Sequence, residues 1–354
     1  MKKTRPQLSI VAPCHNEQDG IEEFCRRAGD AARAMAGDDY ELIVVDDGSR
    51  DESWQRLAQL AANDPRLMIV RLSRRHGHQL ALTAGLKLCR GERILTIDSD
   101  LQDPPELLAE MWKVMDGERA DVVYGVRRRR FGETRFKRAT AAVFYWLLQR
   151  LGYADIPANA GDFRLMTRRV LDILNAMPEQ HRFIRGMVSW IGYRQVALLY
   201  DRAPRGTGKS HYSISRMVVL ALDALTGFSI TPLRLASFAG VAVGLAGLLM
   251  LAYTLGSWVS GRAVTGWTSL TTIVLILGSL QLLLLGLLGE YVGRLYIESK
   301  RRPLFVIDRI VGGESEKIVP LEPSTDAISS DIVAGSELHA PRSDDVELIT
   351  RTRI

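Results

Sequence analysis

The chain has 354 residues, of which 47% are hydrophobic and 25% are charged, with a formal net charge of +5 and a pI of about 9.1. These fractions are ordinary for a globular protein. The positive excess fits an anionic partner such as a nucleotide, a phosphate or a membrane surface, but it is too weak to indicate nucleic-acid binding. The three cysteines show no paired framework, so free thiols in a reducing cytosol are expected.

Apolar runs rich in β-branched residues alternate with stretches of helical periodicity along the N-terminal part of the chain. The predicted strands are residues 8–12, 42–45, 68–70, 94–97 and 122–124, with two more at 162–166 and 194–200. The predicted helices are residues 21–32, 50–62, 79–89 and 105–115. This alternation indicates βαβ units in a Rossmann-like α/β domain with a mostly parallel sheet, whose strand ends share one rim.

The stretch 94–106, which reads ILTIDSDLQDPPE, is the centre of the predicted site. Its apolar run ends in Asp98 and Asp100, with Gln102 two positions further on, so a buried strand would carry these side chains to the ligand-binding rim. Two carboxylates and an amide oxygen suit Mg²⁺ or Mn²⁺. An ordinary acidic turn is the alternative for a bare D-x-D.

A second acidic pair, Asp46 and Asp47, follows another predicted strand. One pair on a metal and the other near a ribose or base would form a nucleotide-diphosphate site, in which the metal neutralises charge on a departing diphosphate. Arg127, directly after the fifth strand, is expected to hold a phosphate. The whole run 127–130 is interpreted as a basic patch facing solvent or lipid.

Other patterns indicate no chemistry of their own. His76 and His78 lie in a loop around Gly77, and as isolated histidines they are expected to be structural or solvent-facing. Residues 206–210 resemble part of a P-loop, but Ala203 stands where that pattern needs a glycine. No G-x-G-x-x-G follows the first strand, which argues against NAD, and the cysteines lack zinc spacing.

Two segments, 235–259 and 270–288, are almost free of charge, and each is long enough to cross the ~30 Å hydrocarbon layer, which needs about 20 apolar residues. The loop between them carries one charge, Arg262, and basic residues flank the pair, so a two-span hairpin with both termini in the cytoplasm is predicted. Helices are also predicted at 134–151 and 213–227. The first would lie on the membrane surface or pack on the sheet, and the second at the interface.

Several motifs together resemble those of a known family. They are Pro13-Cys14-His15-Asn16-Glu17, Asp46-Asp47-Gly48-Ser49, Gly77-His78-Gln79, the string from Asp98 to Pro105, Tyr124-Gly125-Val126-Arg127 and the C-terminal hairpin. On these residues the chain resembles the inverting glycosyltransferases of family 2, which have the GT-A fold. Within that family it is similar to polyprenyl-phosphate glycosyltransferases, relatives of dolichol-phosphate mannose synthase, and most of all to the GtrB-like bactoprenol glucosyltransferases.

The resemblance implies a role for each matching residue. Catalytic roles fall on Asp98, which would face the donor, on Asp162, the candidate base, and on Arg127. The implied donor-nucleotide-binding residues are Pro13, Asn16, Glu17, Asp46, Asp47, Gly77 and Asp98. The implied phosphate- and acceptor-binding residues are Arg127, Arg164, Arg205, Lys209, Ser210 and Tyr212. The implied ligands of Mg²⁺ or Mn²⁺ are Asp100 and Gln102.

The chain departs from the family at the loop expected to close on the donor diphosphate. Ser210-His211-Tyr212 stands where the family has a small residue followed by Lys-Tyr, so Lys209 or His211 would have to supply the charge. The Q-x-x-R-W signature of processive synthases is absent, because Gln180 is followed by His181-Arg182-Phe183. A cellulose- or chitin-type polymerase is therefore disfavoured.

The resemblance implies an enzyme of the inner membrane, a homotetramer, that moves a hexose from a nucleotide sugar onto undecaprenyl or another polyprenyl phosphate. Glucose from UDP-glucose rests on family analogy alone. GDP-mannose, UDP-GlcNAc or a UDP-amino-pentose are alternative donors, and a non-enzymatic membrane scaffold is an alternative of another class. The nucleophile would be a phosphate oxygen, which is already anionic near neutral pH, so a strong base is less needed than for a sugar hydroxyl.

The expected organisation has four parts along the chain. They are a cytoplasmic GT-A domain at 1–212, an interfacial helix at 213–233, two transmembrane helices within 234–293 at about 235–259 and 270–290, and a cytoplasmic basic segment with a disordered tail at 294–354. The tail is expected because the chain past Arg309 is polar and lacks apolar periodicity.

Overall fold

The computed structural model describes residues 5–128, 160–201, 231–260 and 266–313. The chain divides into Met1–Ile318 and Val319–Ile354, and every described residue belongs to the first unit. The predicted helices 134–151 and 213–227 lie outside the described residues. So do four of the predicted site residues, Arg205, Lys209, Ser210 and Tyr212.

Eight strands, eight α-helices and a short 3₁₀ helix (Pro105–Leu107) make up the described elements. The strands are β1 (Leu8–Cys14), β2 (Tyr40–Asp46), β3 (Leu67–Leu72), β4 (Arg93–Thr96), β5 (Val122–Arg127), β6 (Ala160–Thr167), β7 (Gln195–Tyr200) and β8 (Ile307–Gly312). The helices are α1 (Ile21–Ala36), α2 (Ser53–Asn63), α3 (His78–Leu88), α4 (Leu108–Gly117), α5 (Arg168–Ala176), α6 (Ile184–Ile191), α7 (Thr231–Val259) and α8 (Trp267–Ser299). The predicted βαβ alternation is therefore confirmed.

The strands form one mixed sheet in the order β7-β5-β6-β4-β1-β2-β3-β8. The central strand β1 runs parallel to β2 and to β4, and β2 runs parallel to β3. Every residue of β1 and β2 is buried, as expected for parallel strands covered on both faces. Because these strands are parallel, their C-terminal ends meet at one edge, which brings Asp46 and Asp98 to the same rim as predicted.

Strand β6 adds a second group of residues to that rim. It runs antiparallel to both neighbours, β4 and β5, and it pairs Arg164 with Thr96 at the end of β4. The Thr96 hydroxyl donates to the backbone carbonyl of Asp162, which fixes β6 against β4 at this point. The antiparallel insertion thus places Asp162 and Arg164 directly beside the Asp98 turn.

Helices cover both faces of the sheet with separate apolar cores. One core packs α1, α2 and α4 against one face, around fully buried side chains such as Phe24 and Leu57. The other packs α3, α5 and α6 against the opposite face, around Leu82 and Leu171. The site at the rim therefore rests on a sheet that is buried on both sides.

The prediction that the chain is disordered past Arg309 is wrong for its first residues. Strand β8 pairs antiparallel with β3 and forms one edge of the sheet. Ile310 is buried in one core and Val311 packs against the other, so even this short strand alternates correctly between the two faces. Phe305 is also buried, just before the strand. The polar composition of the tail concealed a strand that depends on long-range pairing.

Helices α7 and α8 correspond to the predicted hairpin and have 29 and 33 residues. Among the described residues, one stretch is long and apolar enough to cross a membrane, Ile276–Ser299, with a mean hydropathy of 1.6, and Gly240–Met250 is a shorter apolar stretch. Large apolar side chains of both helices are exposed, including Phe238, Leu249 and Leu282. Passage of both helices through a bilayer stays a prediction.

Candidate active site

The first loop of the rim connects the end of β1 to the end of β2. The amide of Asn16 donates to the Ser49 hydroxyl (3.0 Å), and the Asn16 side-chain oxygen accepts from the Arg50 amide (2.9 Å). Asn16 has a φ of 57°, a left-handed conformation that asparagine tolerates better than most residues. The amide of Glu17 donates to the Ser53 hydroxyl (2.9 Å). The two loops are therefore tied together before any ligand arrives.

Asp46 is fully buried at the end of β2. Its Oδ1 accepts from the Ser49 amide (3.0 Å), and its Oδ2 lies 3.7 Å from Nε of Arg71. Within the described residues Oδ2 has no hydrogen-bond partner. A cavity of about 370 Å³ opens beside this loop pair and is lined by His15, Asn16, Gly48, Arg50 and Arg75. Two arginines and two other polar side chains line this cavity, which suits a polar or anionic ligand.

Asp47 supports the loop that leads into α3. Its two carboxylate oxygens accept from the backbone amides of His76 (2.6 Å) and Gly77 (2.9 Å). Gly77 has a φ of 101°, which favours glycine at this bend immediately before the helix. Asp47 and Gly77 were both predicted to contact the nucleotide. In the structure they stabilise the bend before α3.

The turn after β4 presents Asp98, Asp100 and Gln102. The Ser99 hydroxyl donates to the carbonyl of Pro13 (2.9 Å), which ties this turn to the end of β1. Burial raises the pKa of Asp98 to about 6; His78 opposes the rise, while neighbouring acids such as Asp162 and Asp100 add to it. The turn therefore concentrates negative charge in a partly desolvated place.

The side-chain oxygens of this turn fit a divalent cation that also binds a substrate. No group of three or more His, Cys, Asp or Glu suited to a metal occurs among the described residues, so a cage made only of protein is not indicated. Asp100 Oδ1 accepts from the backbone amide of Gln102 (3.1 Å). The side chain of Gln102 is buried, and its Nε2 has no hydrogen-bond partner in the described part of the chain. Carboxylate and amide oxygens suit Mg²⁺, which keeps waters and takes substrate phosphates as further ligands.

The backbone of the same turn is strained. Leu101 has a φ of 58°, a conformation that costs a residue with a Cβ roughly 1–2 kcal/mol. It lies between Asp100 and Gln102, in the turn where the Gln102 backbone amide donates to Asp100. Strain of this kind persists where the surrounding structure holds a functional geometry in place.

His78, expected to be structural or solvent-facing, lies between two of the predicted site carboxylates. Its Nε2 is 2.8 Å from Asp98 Oδ1, and its Nδ1 is 3.8 Å from Asp162 Oδ2. It is the first residue of α3, and helices that start at the carboxyl edge of a sheet place their first residues at the ligand site. The position of Gly77-His78-Gln79 after β3 was the sequence signal that could have found it.

Asp162 is buried and surrounded by cationic and amide groups. Its Oδ2 accepts from Gln79 Nε2 (2.8 Å), and its Oδ1 accepts from Arg185 Nε (3.1 Å) and lies 3.9 Å from Arg164 Nη2. Burial alone would raise the pKa of Asp162, but Arg185, Arg164 and His78 hold it below its usual value. A carboxylate so well stabilised is a weak proton acceptor, which argues against its assignment as the base.

Arg127 is held by two residues, Tyr200 and Asp103, to which sequence analysis gave no role. Its Nε donates to the Tyr200 hydroxyl (3.3 Å), and its Nη2 lies 3.6 Å from Asp103 Oδ2. The Tyr200 hydroxyl in turn donates to Asp103 Oδ1. A Cβ at Gly161 would lie 3.1 Å from Arg127 Nη2, so a glycine there leaves space for the guanidinium. About a quarter of the Arg127 side chain stays accessible at the rim.

Residues 9–174 match the model of glycosyl transferase family 2. A glycosyltransferase of Bacillus subtilis (strain 168), YkcC, is 43% identical to this chain over 316 residues, which are 88% of this chain and 96% of the relative. The chain belongs to glycosyl transferase family 2. Its fold is accordingly the GT-A fold, with the C-terminal hairpin as a separate part, because residues 231–295 match the GtrB C-terminal hairpin.

Other relatives of this glycosyltransferase match most of its length. The prophage bactoprenol glucosyl transferase homolog of Escherichia coli (strain K12) is 36% identical and covers 86% of this chain and 99% of its own. The bactoprenol glucosyl transferase of Shigella phage SfV is also 36% identical, over 85% of this chain and 98% of its own. Among solved structures, glucosyl-3-phosphoglycerate synthase from Mycobacterium tuberculosis, in complex with Mn²⁺, UDP and phosphoglyceric acid, is 23% identical. That structure has a TM-score of 0.44 and covers 62% of this chain and 78% of its own.

The rim of this family 2 enzyme has two sides. The side formed by β1 and β2 carries Pro13, Asn16, Glu17, Asp46 and Asp47. The side formed by β4, β5 and β6 carries Asp98, Asp100, Gln102, Arg127, Asp162 and Arg164. His78 and Gln79, at the start of α3, contact acids of the second side.

Proposed function

We propose that this glycosyltransferase moves a hexose, glucose from UDP-glucose, onto undecaprenyl or another polyprenyl phosphate. The observation that carries the proposal is the match of 85–86% of the chain, at 36% identity, to relatives named as bactoprenol glucosyl transferases or a homolog of one, together with the matches to the family 2 and hairpin models. A hairpin beside an acidic rim suits an acceptor that reaches the enzyme from a membrane.

The donor would occupy the β1–β2 side of the rim and extend to the turn after β4. Asp46 would accept a hydrogen bond from the nucleobase, and the two loops at the ends of β1 and β2 would bind the nucleoside. Asp100 and Gln102 would hold Mg²⁺ or Mn²⁺, which supplies charge stabilisation for the leaving diphosphate. Asp98, oriented by its contact with His78, would face the sugar.

The acceptor would occupy the β5–β6 side. Its phosphate oxygen would attack the anomeric carbon in line as the bond to the nucleotide breaks, with inversion at that carbon. The attacking oxygen is already anionic near neutral pH, since the second pKa of a phosphate monoester is about 6. Arg127 and Arg164 offer positive charge to the phosphate, and Asp162 orients the cations around it instead of removing a proton. Most of the rate enhancement would come from positioning and electrostatic stabilisation.

The hairpin would anchor the enzyme in the inner membrane by two spans, with the catalytic domain and both termini in the cytoplasm. The pairing of β8 with β3 supports this topology, because the chain that leaves α8 returns to the sheet of the catalytic domain. Both ends of the hairpin would therefore lie on the catalytic side, which needs an even number of crossings. The homotetramer stays a prediction.

A donor screen tests the proposal. The purified protein in detergent is incubated with undecaprenyl phosphate and, in parallel, UDP-glucose, UDP-GlcNAc, GDP-mannose or a UDP-amino-pentose, and the lipid fraction is analysed by mass spectrometry. A hexose added to the lipid phosphate with UDP-glucose alone is the expected result. Product with another donor alone would replace glucose, and no lipid-linked sugar with any donor would overturn the proposed function.

A further inference from the structure

The cytoplasmic end of α8 contacts the catalytic domain through one acidic side chain. Both carboxylate oxygens of Glu298 accept from the backbone amide of Gln180, at 2.9 and 3.2 Å. Gln180 lies in the connection between α5 and α6, 118 positions away in sequence. A hydrogen bond with an ionised acceptor is about twice as strong as one between neutral groups. The end of the helix therefore has a defined attachment point on the domain.

The connection between α5 and α6, which Glu298 contacts, leads directly to residues of the candidate active site. We define the connecting segment as residues 180–185. Within it, the buried Arg182 side chain donates to the carbonyl of Leu174 (3.0 Å), and the amide of Ile184 donates to Gln79 Oε1 (3.0 Å). The last residue, Arg185, donates to Asp162. The segment is thus tied to the helix at one end and to the acceptor side of the rim at the other.

Gln79 provides a second link between the connecting segment and Asp162. Its amide oxygen accepts from Ile184, and its amide nitrogen donates to Asp162 Oδ2 (2.8 Å). One side chain thereby fixes the distance between the connecting segment and the Asp162 carboxylate. A shift of residues 180–185 would move both partners of Asp162, Gln79 and Arg185, and with them the charge that faces the acceptor phosphate.

We propose that Glu298 is a positioning residue for the lipid acceptor, because its bond to the connecting segment sets Arg185, Gln79 and Asp162 at a fixed place relative to the membrane helix. The inference rests on the proposed function, in that the acceptor is a lipid-borne phosphate. A phosphate on a membrane-embedded chain reaches the site only at a limited height above the bilayer. A direct bond between the helix that enters the bilayer and the segment that orients the acceptor-side cations keeps that height constant.

Charge around Glu298 fits this role. Burial lowers the pKa of Arg182, and Glu179 and Glu298 counteract that effect. Glu298 therefore acts electrostatically on the middle of the connecting segment as well as on its first amide. The second attachment of the hairpin is through Phe305, which contacts Lys87 of α3, and through β8, which pairs with β3. Phe305 shares a core with Ile184, but neither of these two contacts involves Glu298, so the second attachment keeps the hairpin on the domain when the first is removed.

The experiment compares Glu298→Ala with three reference variants. Glu298→Gln keeps an oxygen that can accept from the Gln180 amide. Gln180→Ala removes a side chain but keeps the backbone donor. Glu290→Ala removes a comparable acid on the same helix, one that pairs with Arg294 and not with the connecting segment. For each protein in detergent, KM and kcat are measured separately for the nucleotide sugar and for undecaprenyl phosphate, together with hydrolysis of the sugar donor without acceptor and the melting temperature.

Glu298→Ala is expected to raise the KM for undecaprenyl phosphate about tenfold, the effect of losing one charged hydrogen bond, while the donor KM and the hydrolysis rate stay within about twofold of the original. Glu298→Gln is expected to recover most of the acceptor KM, and the other two variants to match the unaltered protein. An unchanged acceptor KM in Glu298→Ala overturns the inference, as does an equal loss for donor and acceptor. If the unaltered protein forms no lipid-linked sugar, it is the proposed function that fails, and the inference falls with it.

Discussion

The two sides of the rim are built by different means. On the β1–β2 side, carboxylates bond to backbone amides: Asp46 to Ser49, and Asp47 to His76 and Gly77. On the β5–β6 side, side chains bond to side chains that are distant in sequence, as Asp162 does to Gln79 and Arg185. A backbone amide stays in position when a neighbouring side chain is substituted. In a network of charged side chains, one substitution changes the hydrogen bonds and the electrostatic balance of all the others. We therefore expect the donor side to tolerate substitution better, outside the groups that touch the substrate, than the acceptor side.

The largest expected effect among the positioning groups is at the centre of the acceptor side. Asp162→Asn leaves Arg164 and Arg185 without their shared counter-charge, and breaking a buried charge pair is strongly destabilising to the local geometry. We expect transfer to fall about 100-fold in kcat/KM for the lipid phosphate, with a much smaller change for the nucleotide sugar.

The pH profile of Asp162→Asn separates orientation from base catalysis. The pKa of Asp162 is held below its usual value, so the folded protein keeps this group ionised throughout the range from about pH 5 to pH 8. Asp162 also adds to the raised pKa of Asp98, so an ascending limb near pH 6 should move to lower pH in the variant. Above about pH 7 the rate of the variant should be lower by the same factor at every pH. A factor that grows with pH above about pH 7 would contradict the account and restore Asp162 as a base.

A smaller effect is expected where the two sides meet, at His78. The amide nitrogen of glutamine reaches about as far as Nε2 of histidine, and that of asparagine only as far as Nδ1. His78→Gln should therefore keep the contact with Asp98 and most of the activity, whereas His78→Asn should lose about tenfold in kcat with little change in either KM. Equal rates for the two variants would show that the Asp98 contact has no part in transfer.

Tyr200→Phe removes one hydroxyl that serves Asp103 and Arg127 together. A buried hydrogen bond contributes about 1 kcal/mol, so a loss of about fivefold in kcat/KM is expected, confined to phosphate recognition. Tyr193→Phe is the matched control, because Tyr193 is more exposed and contacts Arg169 instead of Arg127. An effect of the same size in both variants would show that Arg127 and its partners, Tyr200 and Asp103, have no specific part in phosphate recognition.

The smallest effect on transfer is expected from Phe305→Ala, although its effect on stability is large. The residue is buried beside the edge formed by β3 and β8, and truncating a buried phenylalanine costs about 3 kcal/mol. The melting temperature should drop while both KM values stay unchanged, and Val306→Ala, at a more exposed position, should leave both properties alone. A raised KM for the lipid phosphate would show that the β8 attachment also orients the acceptor.

Local patterns predicted most of the fold and the acids on the β1–β2 side of the rim. Alternating apolar runs gave the strands, and an acidic residue at a strand end is visible in the sequence itself, as at Asp46 and Asp98. The β5–β6 side depends on β6, whose antiparallel insertion between β4 and β5 brings Asp162 next to Gln79, 83 positions earlier in the chain. No local signal marks such a contact. For the same reason sequence analysis gave Tyr200 no role, and it assigned the last three residues of β8 to a disordered tail.

We expect the acids after β4 to support transfer of a sugar to a lipid phosphate. The most direct measurement follows label from a radiolabelled nucleotide sugar into the lipid extract, in the presence of undecaprenyl phosphate, for the unaltered protein and for Asp100→Ala, each with Mg²⁺, with Mn²⁺ and with EDTA. We predict labelled lipid from the unaltered protein with a divalent ion, about 10³-fold less from Asp100→Ala, and none in EDTA. Equal labelling by the two proteins, or full labelling in EDTA, would contradict the account.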